Sequence, residues 1–207
     1  MSLTIHTIPC GSYQANAFLV FMQDRDDCIL VDPGDDLQAL KDAVARSGKK
    51  LSAILLTHGH FDHILAASPL AKETGAQVYV HEGDMEMLND IRLNAYMPGA
   101  AVLPAPKDII AEEYDDVLDV AGMHFEIVHT PGHSKGSVCL YLREEKKMFT
   151  GDTLFQAGFG RMDLHGGSPM QMRTSLKNLF EMDADIAVYP GHGGFSTIGA
   201  ERARYRL

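Results

Sequence analysis

The sequence predicts an α/β fold of four layers, αββα, with two mixed β-sheets face to face and helices on both outer surfaces. Three observations carry this expectation. Short apolar runs of strand length interleave with amphipathic segments of helix length along the whole chain. The runs at 125–130, 137–142 and 147–150 follow one another too closely for helical crossovers, so the sheets must be partly antiparallel. So many strands in 207 residues, 45% of them hydrophobic, use the chain economically when two sheets share a core and helices cover the outside. One domain is expected over residues 1–207.

In chain order, strands are predicted at 17–22, 28–31, 53–57, 77–80, 125–130, 137–142, 147–150 and 186–189. A first helix over 35–47 places Leu37, Leu40, Ala43 and Val44 on one face and stops at Gly48. Helices are also expected over 62–74 and 83–93. Ser168 reads as an N-cap and Pro169 as the first residue of a helix ending near Phe180. A last helix covers 197–206 and would leave Arg202, Arg204 and Arg206 solvated. Residues 97–106, with Pro98, Gly99, Pro104 and Pro106, read as a surface crossing between two halves.

Lys plus Arg total 18 against 28 Asp plus Glu, a formal net charge of -10. An acidic surface without a basic run repels phosphate backbones, so no nucleic-acid partner is expected. No window approaches the ~18 apolar residues of a membrane span, and the N-terminus lacks a basic-then-apolar leader. Cys10, Cys28 and Cys139 show no close pairing, which suits reduced thiols in a cytoplasmic protein.

Histidine carries the chemistry. Residues 57–63 read Thr-His-Gly-His-Phe-Asp-His, which can turn His58 and His60 to one side and present Asp62 and His63 beside them. Imidazole and carboxylate are the ligand types suited to zinc or iron. Three further segments share one grammar, an apolar strand running into a turn: His133 after Pro131-Gly, Asp152 after Gly151, and His192 after Pro190-Gly. In each, the preceding glycine is expected to let the backbone turn sharply. Seven candidate ligands exceed the needs of one tetrahedral ion, and a carboxylate can bridge two, so two ions sharing Asp152 is the natural count.

Taken together, Thr57-His-x-His-x-Asp-His63, Thr130-Pro-Gly-His133, Gly151-Asp152 and Pro190-Gly-His192 resemble the metallo-β-lactamase-fold hydrolases, most closely their short glyoxalase II-like branch. The resemblance runs from Val31-Asp-Pro-Gly34 to Gly191-His-Gly193 and includes Gly160-Arg-Met-Asp163. It implies a first metal held by His58, His60 and His133, and a second by Asp62, His63 and His192, with Asp152 bridging. Zinc is the expected metal, with iron or manganese as alternatives. Asp32 resembles the family's aspartate that orients a ligand histidine; as part of Asp-Pro-Gly it is equally a turn residue.

The expected reaction is hydrolysis of a small-molecule acyl thioester such as S-D-lactoylglutathione, by a hydroxide activated between the ions, with Asp62 aiming it. Full-length glyoxalase II resembles the chain only up to the last histidine, so glutathione as carrier is in doubt. The main rival is a persulfide dioxygenase with one iron on His58, His133 and Asp152. A β-lactamase is disfavoured, because those enzymes usually carry Cys where Asp152 stands, and a non-catalytic metal-binding module is the remaining alternative. Among residues outside the ligand pattern, His165 is the histidine expected to border a substrate. Arg161 would pair either with a substrate carboxylate or with Asp163, the internal pair being favoured. Met162, Met170 and Met172 read as core filling before an adaptable wall.

Overall fold

Period-two burial within one strand builds the layers. The computed structural model describes residues 2–205. In β2 (Ala15–Met22), Ala17, Leu19 and Phe21 enter one apolar layer while Phe18, Val20 and Met22 enter the next. The first sheet has the order β1 (Leu3–Cys10), β2, β3 (Asp27–Val31), β4 (Lys50–Leu55), β5 (Gln77–Val80), β6 (Glu112–Glu113). The second contains β7 (Val117–Val120), β8 (Met123–His129), β9 (Val138–Leu142), β10 (Lys147–Gly151), β11 (Ala187–Pro190) and β12 (Ser196–Thr197), with β12 at one edge and β7 at the other. Both are mixed. β1 to β3 pair antiparallel and β3 to β6 parallel. In the second sheet β7 to β10 are antiparallel, and β10 pairs parallel with β11.

Three apolar layers separate four layers of structure. Leu40 of α1 (Leu37–Ser47) and Leu70 of α3 (Ala67–Thr74) pack with Leu30, Ile54 and Val78 on the outer face of the first sheet. Phe18, Ile29 and Leu55 meet Phe125, Leu140 and Phe149 between the sheets. Met172, Leu176 and Leu179 of α4 (Pro169–Glu181), with Ile198 of α5 (Ile198–Arg204), cover Tyr141, Met148 and Val188. Each fully buried side chain of this kind contributes about 1.5–3 kcal/mol. The architecture is the αββα sandwich that the sequence predicts.

Local differences have physical causes. The predicted helix over 62–74 is two helices, α2 (Phe61–Ile64) and α3, because the Ala66 amide donates to the Pro33 carbonyl instead of to residue 62. The predicted helix over 83–93 is a 3-10 turn (Glu82–Met87) followed by turns; the Asn94 side chain takes the Met87 carbonyl at 3.0 Å. The strand predicted at 53–57 ends at Leu55, since the Thr57 carbonyl accepts from Val138 in the other sheet. β1, β6, β7 and β12 are additions. The crossing between halves lies at 114–116; residues 97–106 belong to the first half, pinned by Val102 and Leu103 amides donating to the Asp35 carboxylate. Ser168 caps α4 and Gly48 ends α1, as predicted. Arg206 lies outside the described residues. All three cysteines are free and buried. No helix among the described residues is long and apolar enough to cross a membrane.

Candidate metal centre

The ends of parallel strands assemble the site. β3, β4 and β5 share a direction, and their C-terminal ends lead to Asp32, to the loop with His58 and His60, and to Asp84. In the second sheet β8, β10 and β11 also share a direction and lead to His133, Asp152 and His192. All seven predicted ligand residues meet where these two edges face each other.

Three close groups form there: two consist of predicted ligands alone, and the third joins Asp32 to His58 and His63. The ligand atoms of His58, His60 and His133 lie within 4.8 Å of one another, as do those of Asp62, His63 and His192. Asp152 stands between them: Oδ2 is 3.5 Å from His133 Nε2 and 3.7 Å from His192 Nε2, and Oδ1 is 3.5 Å from His63 Nε2. Asp62 Oδ2 is 3.4 Å from His192 Nε2.

The outer nitrogens show why these rings point inward. His133 Nδ1 donates to the Arg161 carbonyl at 2.7 Å, and His192 Nδ1 to the Tyr13 carbonyl at 3.1 Å. His63 Nδ1 donates to Asp32 Oδ2 at 3.0 Å, and His58 Nδ1 to Thr57 Oγ1 at 3.0 Å. With Nδ1 held by these outer partners, each Nε2 faces the centre and offers a lone pair once its ring is neutral. His60 is reversed, its Nδ1 lying 2.7 Å from His133 Nε2. The buried atoms His58 Nε2, His60 Nε2 and Asp152 Oδ1 have no hydrogen-bond partner. Buried polar atoms are rarely left this way, and a cation answers the lone pairs facing the centre.

The electrostatics divide in the same way. Burial, followed by the neighbouring imidazoles, pushes His58 and His60 well below the usual histidine range, so both are neutral. For His63 burial pulls the same way, but Asp62, Asp152 and Asp32 outweigh it and push the ring up to about 10. His192 is likewise raised against its burial, by Asp62 and Asp152. Burial opposes ionisation of Asp62, yet His63 and His192 hold its carboxyl well below the usual range.

Asp32, in the left-handed region at φ 47, receives the Thr57 amide at 2.7 Å and hydroxyl at 2.6 Å as well as His63. The glycines before the ligands act in two ways. Gly132 and Gly151 have positive φ, whereas a Cβ on Gly191 would fall 2.3 Å from Asp152 Oδ1, so there the requirement is room. Arg161 forks onto Asp163 with two 2.7 Å bonds, leaving its carbonyl as its link to the centre. His165 bonds Glu86 at 3.0 Å. Met172 is core, Met162 packs partly buried against the same layer, and Met170 is exposed.

Sequence reasoning gave no role to Thr57, Asn16 or Asp84. Asn16 Nδ2 donates to the Pro190 and Gly193 carbonyls, both at 3.0 Å, and so holds the His192 loop. Thr57 could have been noticed from its place in the histidine run; nothing in the sequence marks the other two.

The description "Metallo-beta-lactamase superfamily" matches residues 10–192. Hydroxyacylglutathione hydrolase GloC of Haemophilus influenzae is 32% identical, over 97% of this chain and 95% of that protein. The probable metallo-hydrolase YqgX of Bacillus subtilis is 36% identical, over 90% of this chain and 88% of that one. Among solved structures, the BLEG-1 B3 metallo-beta-lactamase is 35% identical with a TM-score of 0.87, covering 97% of both chains. TTHA1623 in a di-iron-bound form is 34% identical with a TM-score of 0.83, covering 95% of this chain and 96% of that one. ETHE1 from Myxococcus xanthus is 25% identical with a TM-score of 0.76, covering 96% and 81%. This fold implies divalent metal binding, and the histidine groups fit it.

Proposed function

The chain belongs to the metallo-beta-lactamase superfamily, and from that premise we propose that it hydrolyses small acyl thioesters of the S-D-lactoylglutathione kind with two divalent ions. The observation that carries the two-ion reading is the pair of ligand groups with Asp152 reaching both. His58, His60 and His133 would hold one ion, and Asp62, His63 and His192 the other. Zinc suits this nitrogen-rich set, and the di-iron form of TTHA1623 supports iron as an alternative.

Ions bound there supply Lewis acidity for a carbonyl oxygen and a water acidic enough to act as a nucleophile near pH 7. The chain's own groups orient. Asp62, ionised and with its side chain 18% exposed, offers Oδ2 as an acceptor that aims a water O–H. The Nδ1 atoms of His133, His63 and His192 are held by their outer partners, so binding needs no ring reorientation. No thiol serves as nucleophile: burial pushes Cys139 up to about 12 and Cys10 and Cys28 up to about 11.

GloC supports glutathione as the carrier, because the match spans 95% of a protein bearing the hydroxyacylglutathione hydrolase name. Two rival chemistries remain: the iron-dependent persulfide oxidation that the sequence resemblance implies, and β-lactam hydrolysis, which rests on the likeness to the BLEG-1 B3 metallo-beta-lactamase. The deciding experiment measures metal content after purification without added metal. It then assays S-D-lactoylglutathione, a β-lactam, and glutathione persulfide with oxygen uptake. Two ions per chain with thioester turnover is expected. One iron with oxygen consumption, or β-lactam turnover without thioester turnover, would overturn the proposal.

A further inference from the structure

Asp84 is fully buried, lies on the 3-10 turn after β5, and is not among the candidate ligands. Among the described residues it has no cationic partner, and an uncompensated buried carboxylate costs several kcal/mol or more unless hydrogen bonds answer it. Three donors do so, and they come from two different loops. Oδ2 accepts the Gly59 amide at 2.9 Å and the Ser134 hydroxyl at 2.6 Å; Oδ1 accepts the Gly136 amide at 2.6 Å.

The positions of those donors matter. Gly59 lies between His58 and His60, so its amide fixes the peptide that sets the spacing of both rings. Ser134 follows His133 directly. One loop leaves the first sheet and the other the second, so a single carboxylate joins the backbones that carry all three histidines of the first group. The approach is close: a Cβ on Gly136 would come within 2.6 Å of the Asp84 amide nitrogen and 2.8 Å of its carboxyl carbon. Gly136 therefore allows the loop to dock on the carboxylate. No comparable tie reaches from Asp84 to Asp62, His63 or His192.

We infer that Asp84 is a positioning residue for the His58, His60 and His133 group, setting its geometry for a divalent ion without ligating it. The inference rests on the metal reading proposed above and concerns the first group alone. Ligand sets must be held to about half an ångström to bind tightly, and outer partners of metal ligands typically carry ~10–100-fold in affinity.

Asp84→Asn is the sharpest probe because it keeps the shape. An amide offers one acceptor where the carboxylate offers two. If its NH2 faces Gly136, that amide loses its acceptor and meets a donor. If it faces Gly59, the Ser134 hydroxyl can rotate but the Gly59 amide cannot. In the first case the tie between the loops is reduced to the Ser134 hydroxyl, and in the second the Gly59 loop is released.

The test is a Zn(II) titration of metal-stripped protein followed by the imidazole 15N signals of each histidine. In Asp84→Asn the Zn(II) concentration that shifts His58, His60 and His133 should rise at least ~10-fold, while that for His63 and His192 moves by less than about threefold. A purely structural role would weaken both groups alike, and that result, or no weakening, overturns the inference. Should Asp84→Asn fail to fold, Ser134→Ala removes one donor and keeps both backbone amides. It must show the same selectivity in smaller degree, and equal or absent effects overturn the inference there too. The readout needs no substrate, so a wild-type protein without thioester turnover but with this selectivity would sink only the hydrolase proposal.

Discussion

His58, His60 and His133 are 1–3% exposed and bring no carboxylate of their own, whereas Asp62, His63 and His192 mix signs and leave the His192 side chain 25% exposed. The second group already satisfies itself: His63, raised to about 10, faces Asp62, Asp152 and Asp32 as a protonated ring among carboxylates. The first cannot. Burial keeps His58 and His60 neutral, and each has a nitrogen with no partner. The difference teaches that one fold edge can hold a preformed neutral cradle beside a charged pair that must give up protons to bind the same ion. It also places the open, adaptable side toward solvent at His192.

The largest expected effect erases this comparison. Asp152→Ala removes the carboxylate that reaches the inward nitrogens of both sets, so Zn(II) affinity at both should fall by more than the ~100-fold upper range of outer partners. Competition with a chelator measures it, and two tightly held ions in that variant would refute the bridging role. Asn16→Ala should instead sharpen the contrast. It unties the Pro190 and Gly193 carbonyls, and a loss of about tenfold, roughly 1.4 kcal/mol, is expected at His63 and His192 with the first group unmoved.

Proton release separates the groups by pH. A ligand histidine must be neutral, so a ring with a raised pKa weakens metal binding below that pKa and ceases to do so above it. Affinity at the second group should therefore climb with pH toward about 10, while His58 and His60, already neutral, add no such slope at the first. Calorimetry at pH 8 in buffers of different ionisation enthalpy counts the protons; equal release from both steps would break the comparison. Arg161→Ala is the smallest. Only its carbonyl supports His133, and its side chain is an exposed partner of Asp163, so metal affinity should be unchanged. Substrate KM should rise by no more than about fivefold, with kcat less affected.

Much of this was legible because it depends on side-chain type in local order. Alternating burial in β2, the Gly48 stop and the Ser168 cap are local signals, and the histidine run and the strand-end ligands are short patterns. β1 escaped because an edge strand is half exposed and mixes Thr4, His6 and Thr7 with Ile5 and Ile8. The break between α2 and α3 escaped because its cause, the Pro33 carbonyl, is remote in sequence. Asp84 and Asn16 were silent for a related reason. Apart from the Ser134 hydroxyl on Asp84, their partners are backbone amides and carbonyls, which every sequence has, and only the fold decides which of them meet.

Facing strand ends also bear on how the chain folds. His60 and His133 are 73 residues apart, and His63 and His192 are 129 apart. Neither group can close inside one sheet, so loop-closure entropy is lost before any lone pair gains a partner. Such non-local pairing slows folding, and a tight ion can bind only once the two sheets have docked. An ion that favours the docked state by RT ln(1 + [M]/Kd) then acts as a latch on the last assembly step rather than a seed for either half. Refolding without metal should form both sheets at an unchanged rate, with metal slowing only their separation.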